Sequence, residues 1–127
     1  MIQRIRSGSP YEERWGFTRA IRVGDRIIVS GTAPIPPAGE DIAATAYAQM
    51  MRCGDIIAAA LDEAGVTMSD VIRTRMFITD EANADEVGRA HGELFGSAMP
   101  AATMIKTELI DPSWLVEVEV EALVPSR

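Results

Sequence analysis

The chain has 127 residues and 47% hydrophobic residues, with 12 Lys+Arg against 19 Asp+Glu for a formal net charge of −7. That suits one globular domain over 1–127 with one core, and the acidic balance excludes nucleic acid as an expected partner, because a phosphate backbone is bound through Lys and Arg. No apolar run is long enough for a membrane span, MIQRIRSGSP has no hydrophobic signal segment, and one Cys and one His allow neither an internal disulfide nor a zinc site, so the expectation is a cytoplasmic protein.

In chain order, IQRIRS at 2–7 reads as a short edge strand. SGSPYEERWG at 7–16 is rich in turn formers and reads as a loop. Gly24-Asp25 between two apolar runs signals a hairpin, with strands at 17–23 and 26–31. TAPIPPAGE at 32–40 is too rich in proline to continue a sheet. Asp41 is the expected N-cap of a helix whose apolar residues, from Ala43 through Met50 and Ile57 to Ala64, recur at helical spacing. Gln49, Arg52 and Asp55 fall on its outer side, and Gly65 supplies the stop. DVIRTRMFITD at 70–80 reads as a strand. Asn83 and Glu86 have capping-box spacing ahead of a second helix, whose face is Val87, Ala90, His91, Leu94 and Phe95. Gly96 and Pro100 end it. Strands at 101–109 and 115–124 complete an α+β order with a six-stranded mixed sheet and both helices on one face.

LVEVEVEAL, Leu115 to Leu123, alternates apolar and acidic residues, so Glu117, Glu119 and Glu121 share the face turned away from the helices. On strand 70–80 the matching set is Val71, Arg73, Arg75 and Phe77. On strand 101–109 it is Ala102, Met104, Lys106 and Glu108. A face half charged and half apolar suits a subunit interface with polar pockets better than free water. Arg73 and Arg75 are the natural partners of the glutamates if the two strands lie side by side.

The order of these motifs resembles that of the RidA (YjgF-like) reactive-intermediate deaminase family. Gly24-Asp-Arg-Ile-Ile-Val-Ser30-Gly31 is similar to its G-x-x-I-x-x-S-G strand. Asp70-Val-Ile-Arg-Thr with Phe77-Ile-Thr-Asp80 is similar to its D-V-x-K-T-x-V-F-x-x-D. Pro100-Ala101 and Val118-Glu119-Val120-Glu121-Ala122 resemble its P-A-R-[ST] and [IV]-E-[IV]-E-A ending. The resemblance runs from about residue 17 to the end. It implies a chorismate-mutase-like fold, a homotrimer whose sheets form a barrel, and ligand clefts between subunits. It also implies hydrolysis of enamines and imines to ketoacids and ammonium without metal or cofactor.

Carried over residue by residue, the resemblance makes Glu121 the carboxylate that positions water, with Glu119 as the alternative. Ser30, Gly31 and Phe17 fall at substrate-binding positions, Phe17 lacking the hydroxyl of the family's tyrosine. Where the family has an arginine that binds the substrate carboxylate, this chain has Ala102, which cannot replace a bidentate fork. Gly88 and His91 stand where the family has asparagine and tyrosine. Arg75 or Lys106 is a candidate replacement anchor on the face expected for Ala102 and Met104, although an ordinary cross-strand ion pair accounts for either. Each candidate has a structural alternative: Ser30 as a turn cap, His91 as a structural helix residue, Cys53 as a small buried hydrophobe, Trp15 and Trp114 as packing groups. Two functions follow, a small-molecule deaminase or a non-catalytic homotrimer that binds a metabolite. A ribonuclease is disfavoured by the charge.

Overall fold

A computed structural model describes residues 1–126. The strands are β1 (Ile2–Ile5), β2 (Ala20–Val23), β3 (Arg26–Thr32), β4 (Val71–Ile78), β5 (Ala101–Lys106) and β6 (Val116–Leu123), and the helices are α1 (Pro10–Trp15), α2 (Ala46–Ala64) and α3 (Ala84–Phe95). The sheet has six strands in the order β1-β2-β3-β6-β4-β5. All neighbours are antiparallel except β4 and β5, which run parallel. That is the mixed α+β sheet expected from the sequence. The long helices α2 and α3 pack against each other, and α2 covers β6 and β3. Gly54 allows that closeness, since a Cβ there would collide with Leu94.

The core lies between sheet and helices. Val116, Val118, Val120 and Ala122 of β6 are buried beside Met50, Ile57 and Leu61 of α2 and Val87 and Phe95 of α3. The period of two in β6 therefore reads correctly, with the glutamates on the opposite face.

Several expectations are corrected. The stretch 7–16 contains α1: Ser9 Oγ accepts from the Tyr11 amide, Pro10 takes the first helical position, and Gly16 closes the turn at φ 74°. The helix α2 starts at Ala46, not after Asp41, because Thr45 accepts from the Ala48 amide. Gln49 is not on its outer side but buried. Its amide bonds the carbonyls of Ala43 and Ser113 and accepts from the Leu115 amide, tying the helix start to the loop before β6. Asn83 makes no side-chain cap bond, and Glu86 accepts instead from the Tyr47 amide in the first turn of α2.

The face assignments change on two strands. Val71 pairs with Ala122 and Arg73 with Glu121, so Ile72 is an extra residue, a bulge. It turns Val71 into the core at 3% exposure and Ile72 outward at 39%. On β5, Ala102 pairs with Thr74 and Met104 with Met76, both core residues. Ala102, Met104 and Lys106 therefore belong to the helix side, and Glu108 lies beyond the strand. A weakly patterned edge strand takes its phase from its neighbour, which the residues 101–109 alone do not specify.

Candidate active site

One large cavity, about 440 Å³, opens where the end of β3 meets the start of β6. Its walls come from α1 and the residues before it, the proline loop after β3, Arg52 and Ile56 of α2, and Ile110 and Trp114 ahead of β6. The proline loop cannot extend β3, so it turns over the sheet end and leaves the space open.

A second bulge shapes the floor. Val29 pairs with Val120 and Thr32 with Val118, so Ser30 and Gly31 together face the place of Glu119. Ser30 Oγ donates to the Thr18 carbonyl at 2.7 Å, holding the chain before β2, and does not line the cavity. Gly31 does line it, and a Cβ there would collide with the Glu117 carboxylate. Glycine at 31 lets the Glu117 carboxylate lie against the backbone, and a larger residue would push that carboxylate aside.

Arg19 forms the charged wall. It is 5% exposed. Its Nε faces Glu12 Oε2 at 3.5 Å, and its Nη1 donates to the Gly31 carbonyl at 2.7 Å and Thr32 Oγ1 at 2.9 Å. Glu12 is equally buried and accepts from the Ser7 amide and hydroxyl. The guanidinium also lies 5.5 Å from the Phe17 ring centroid. A buried pair of this kind persists because both members gain further hydrogen bonds, Arg19 from Gly31 and Thr32 and Glu12 from Ser7.

The three glutamates of β6 have three different environments. Glu121 lies 3.0 Å from Arg26 Nη1 and 3.5 Å from Arg73 Nε. Glu119 lies 3.2 Å from Arg75 Nη1. Glu117 has no ion pair among the described residues and lines the cavity. Burial pushes its carboxyl above the ordinary 4.5, opposed by nearby Arg19 and assisted by Glu119. A half-buried carboxylate in a cleft with a raised pKa is suited to accept and return protons.

Of the residues singled out in the sequence, Phe17 and Gly31 line the cavity. Glu121, Glu119 and Arg75 lie on the outer ladder of ion pairs, as the cross-strand reading of Arg73 and Arg75 anticipated. Ala102 and Met104 lie across the sheet on β5, outside the cavity lining. Lys106 pairs with Glu81 at 3.2 Å. His91 Nε2 is 2.7 Å from Thr74 Oγ1, a structural contact that satisfies a buried hydroxyl, and burial lowers its pKa. Cys53 is buried, bonds the Thr32 carbonyl, and has its thiol pushed up by burial, which keeps it unreactive. Trp15 and Trp114 both line the cavity, bracketing Tyr11 at 4.8 and 6.0 Å. The sequence reading missed Glu117, Arg19 and Arg52. The signal for Glu117 was Gly31, whose lack of a side chain marks a close neighbour. Among the described residues no cluster of three or more His, Cys, Asp or Glu could hold a metal. No helix among them is long and apolar enough to cross a membrane.

Residues 9–124 match the family model described as Endoribonuclease L-PSP. An uncharacterized protein of Streptomyces coelicolor is 40% identical over 95% of this chain and 91% of its own. The 2-iminobutanoate/2-iminopropanoate deaminase of Escherichia coli is 24% identical over 87% of this chain and 88% of its own. A YjgF-family crystal structure from Mycobacterium tuberculosis superposes with a TM-score of 0.85 at 38% identity, covering 98% of this chain and 100% of that one. With the fold, the paired motifs and the family model in agreement over nearly its whole length, the chain belongs to the RidA (YjgF-like) family.

Proposed function

We propose that the protein hydrolyses a small imine or enamine to a carbonyl compound and ammonium, with Glu117 as the proton-transferring carboxylate. The observation that carries this is Glu117 itself, a carboxyl unpaired among the described residues and raised by burial, on the wall of the large cavity. In its ionised form Glu117 takes a proton from water as the water adds to the imine carbon. In its protonated form it returns that proton to the carbinolamine nitrogen, the C–N bond breaks as the hydroxyl loses its proton to solvent, and the carbonyl compound and ammonium leave. No metal is required for either step. The deaminase activity named for the Escherichia coli relative supports the reaction class.

The working unit is a cytoplasmic homotrimer in this reading. Ile28, Ile105 and Leu123 are exposed on the outer sheet face among the arginine–glutamate pairs, and a second copy would cover them. RNA cleavage, suggested by the family model's name, is disfavoured by the net charge of −7. A second reading, a trimer that binds a metabolite without turning it over, is favoured by Ala102, which removes the family's carboxylate fork from the β5 side.

Generating 2-aminoacrylate in situ and measuring ketoacid release separates the two. The expected result is acceleration over buffer, lowered about 10²- to 10⁴-fold by Glu117→Gln. Glu121→Gln and Glu119→Gln are expected to keep most of the parent rate. No acceleration by the parent, with 2-aminoacrylate or with the imine of an aromatic 2-keto acid, rejects the deaminase. A larger loss from Glu121→Gln than from Glu117→Gln moves the chemistry to the outer face. Native mass measurement checks the trimer, and a monomer at micromolar concentration rejects it.

A further inference from the structure

The cavity is larger than a three-carbon substrate requires, at about 440 Å³. Its walls are mostly apolar, with Tyr11, Trp15, Phe17, Ile35, Ile56 and Trp114 among them. Both tryptophans of the chain are included. Against this apolar lining stand two guanidiniums with donors to spare. Arg19 uses Nε and Nη1 on Glu12, Gly31 and Thr32, and its Nη2 has no hydrogen-bond partner among the described residues. Arg52 uses Nε on the Ile35 carbonyl at 2.7 Å, and neither of its terminal nitrogens has a partner among them. Both arginines also line the smaller neighbouring pocket of about 230 Å³, so they stand together where the two spaces meet.

We propose that this cavity binds a carboxylate carrying a large apolar group, the aromatic wall holding the group and Arg19 with Arg52 holding the carboxylate. A guanidinium presents paired donors in one plane and matches a carboxylate in a way a lysine does not. Arg19 is pre-set for this, because Glu12 and the Gly31 carbonyl hold its side chain before any ligand arrives. Tyr11 sits between the two indoles, with its ring 4.8 Å from Trp15 and 6.0 Å from Trp114, so a ring that enters meets aromatic surface. The inference rests on the reading of this cavity as the functional site. In that reading, the preferred substrate is the imine of a bulky, aromatic 2-keto acid.

The test uses ligands that cannot react. Trp15 and Trp114 report occupancy by fluorescence as the intact protein is titrated with 3-phenylpropanoate, propanoate and 3-phenylpropanamide. The acid with the ring is expected to bind about tenfold or more tightly than propanoate, which lacks the apolar group, and than the amide, which lacks the charge. Arg19→Gln strands buried Glu12 and endangers the fold, so Arg52→Gln carries the test. It is expected to weaken binding of the acid about tenfold and to collapse the preference for acid over amide. Equal binding of acid and amide by the parent, equal binding of propanoate, or a preference that survives Arg52→Gln each overturns the proposal. Selective binding without imine turnover would leave this inference standing and reject the deaminase. Turnover without selective binding would do the reverse.

Discussion

Glu117 and Glu121 lie on one strand and face the same side, yet their surroundings oppose each other. Glu121 sits between Arg26 and Arg73, in reach of water and neutralised from both flanks. Glu117 sits over a glycine, beside a guanidinium already engaged by Glu12, with its carboxyl raised by burial. The same residue type therefore serves two purposes within two turns of the pleat. The ladder end uses carboxylates as counter-charges that set register across β3, β6 and β4. The cavity end holds a carboxylate with no ion pair among the described residues, beside an arginine whose Nε faces Glu12. What separates them is the bulge at Ser30–Gly31, which opens the sheet at one end only.

The comparison breaks most severely at Glu12. Glu12→Ala leaves Arg19 buried without its carboxylate, and chemical denaturation is expected to show a loss of about 3–5 kcal/mol. A loss under 1 kcal/mol would mean that Arg19 is held by Gly31 and Thr32 alone. Next is Gly31→Ala, whose methyl displaces the Glu117 carboxylate. The expected cost is about 1 kcal/mol, because only the flexible end of Glu117 has to move, together with lowered imine turnover, whereas Gly92→Ala, where an added methyl meets nothing and φ is ordinary, serves as the control.

A pH series sharpens the comparison further. Glu117 holds its proton more tightly when folded than when unfolded, so its contribution to stability is present at acid pH. It is lost as pH rises from the ordinary 4.5 through the raised folded value. Glu117→Gln is therefore expected to match or exceed the parent's stability at neutral pH. Any gain should vanish in acid, as read by thermal melts across pH. A parent that melts at higher temperature than Glu117→Gln at pH 7 would show that Arg19 outweighs burial. The smallest effects belong to the ladder. Glu121→Ala or Glu119→Ala removes a solvent-screened pair and is expected to cost about 0.2–1 kcal/mol in denaturant titration.

The sequence alone carried the order of the six strands and the two long helices, though not α1, the inward valines and outward glutamates of β6, the Gly24-Asp25 hairpin, the Gly65 stop and the arginine partners of two glutamates. These rest on period, turn chemistry and cross-strand charge, all written within a few residues. The motif order carried the family as well. Three things needed the tertiary structure. The two bulges shift phase by one residue, so Val71 turns inward, and the glutamate that Gly31 meets is Glu117. The edge strand β5 takes its faces from β4, which moves Ala102 and Met104 to the helix side. The cavity joins Tyr11, Arg19, Arg52, Trp114 and Glu117, which are far apart in sequence and lie on elements that no local pattern brings together. A strand's alternation is decided by its own residues, but which of its carboxylates goes without a partner is decided by the neighbouring chain that packs against it.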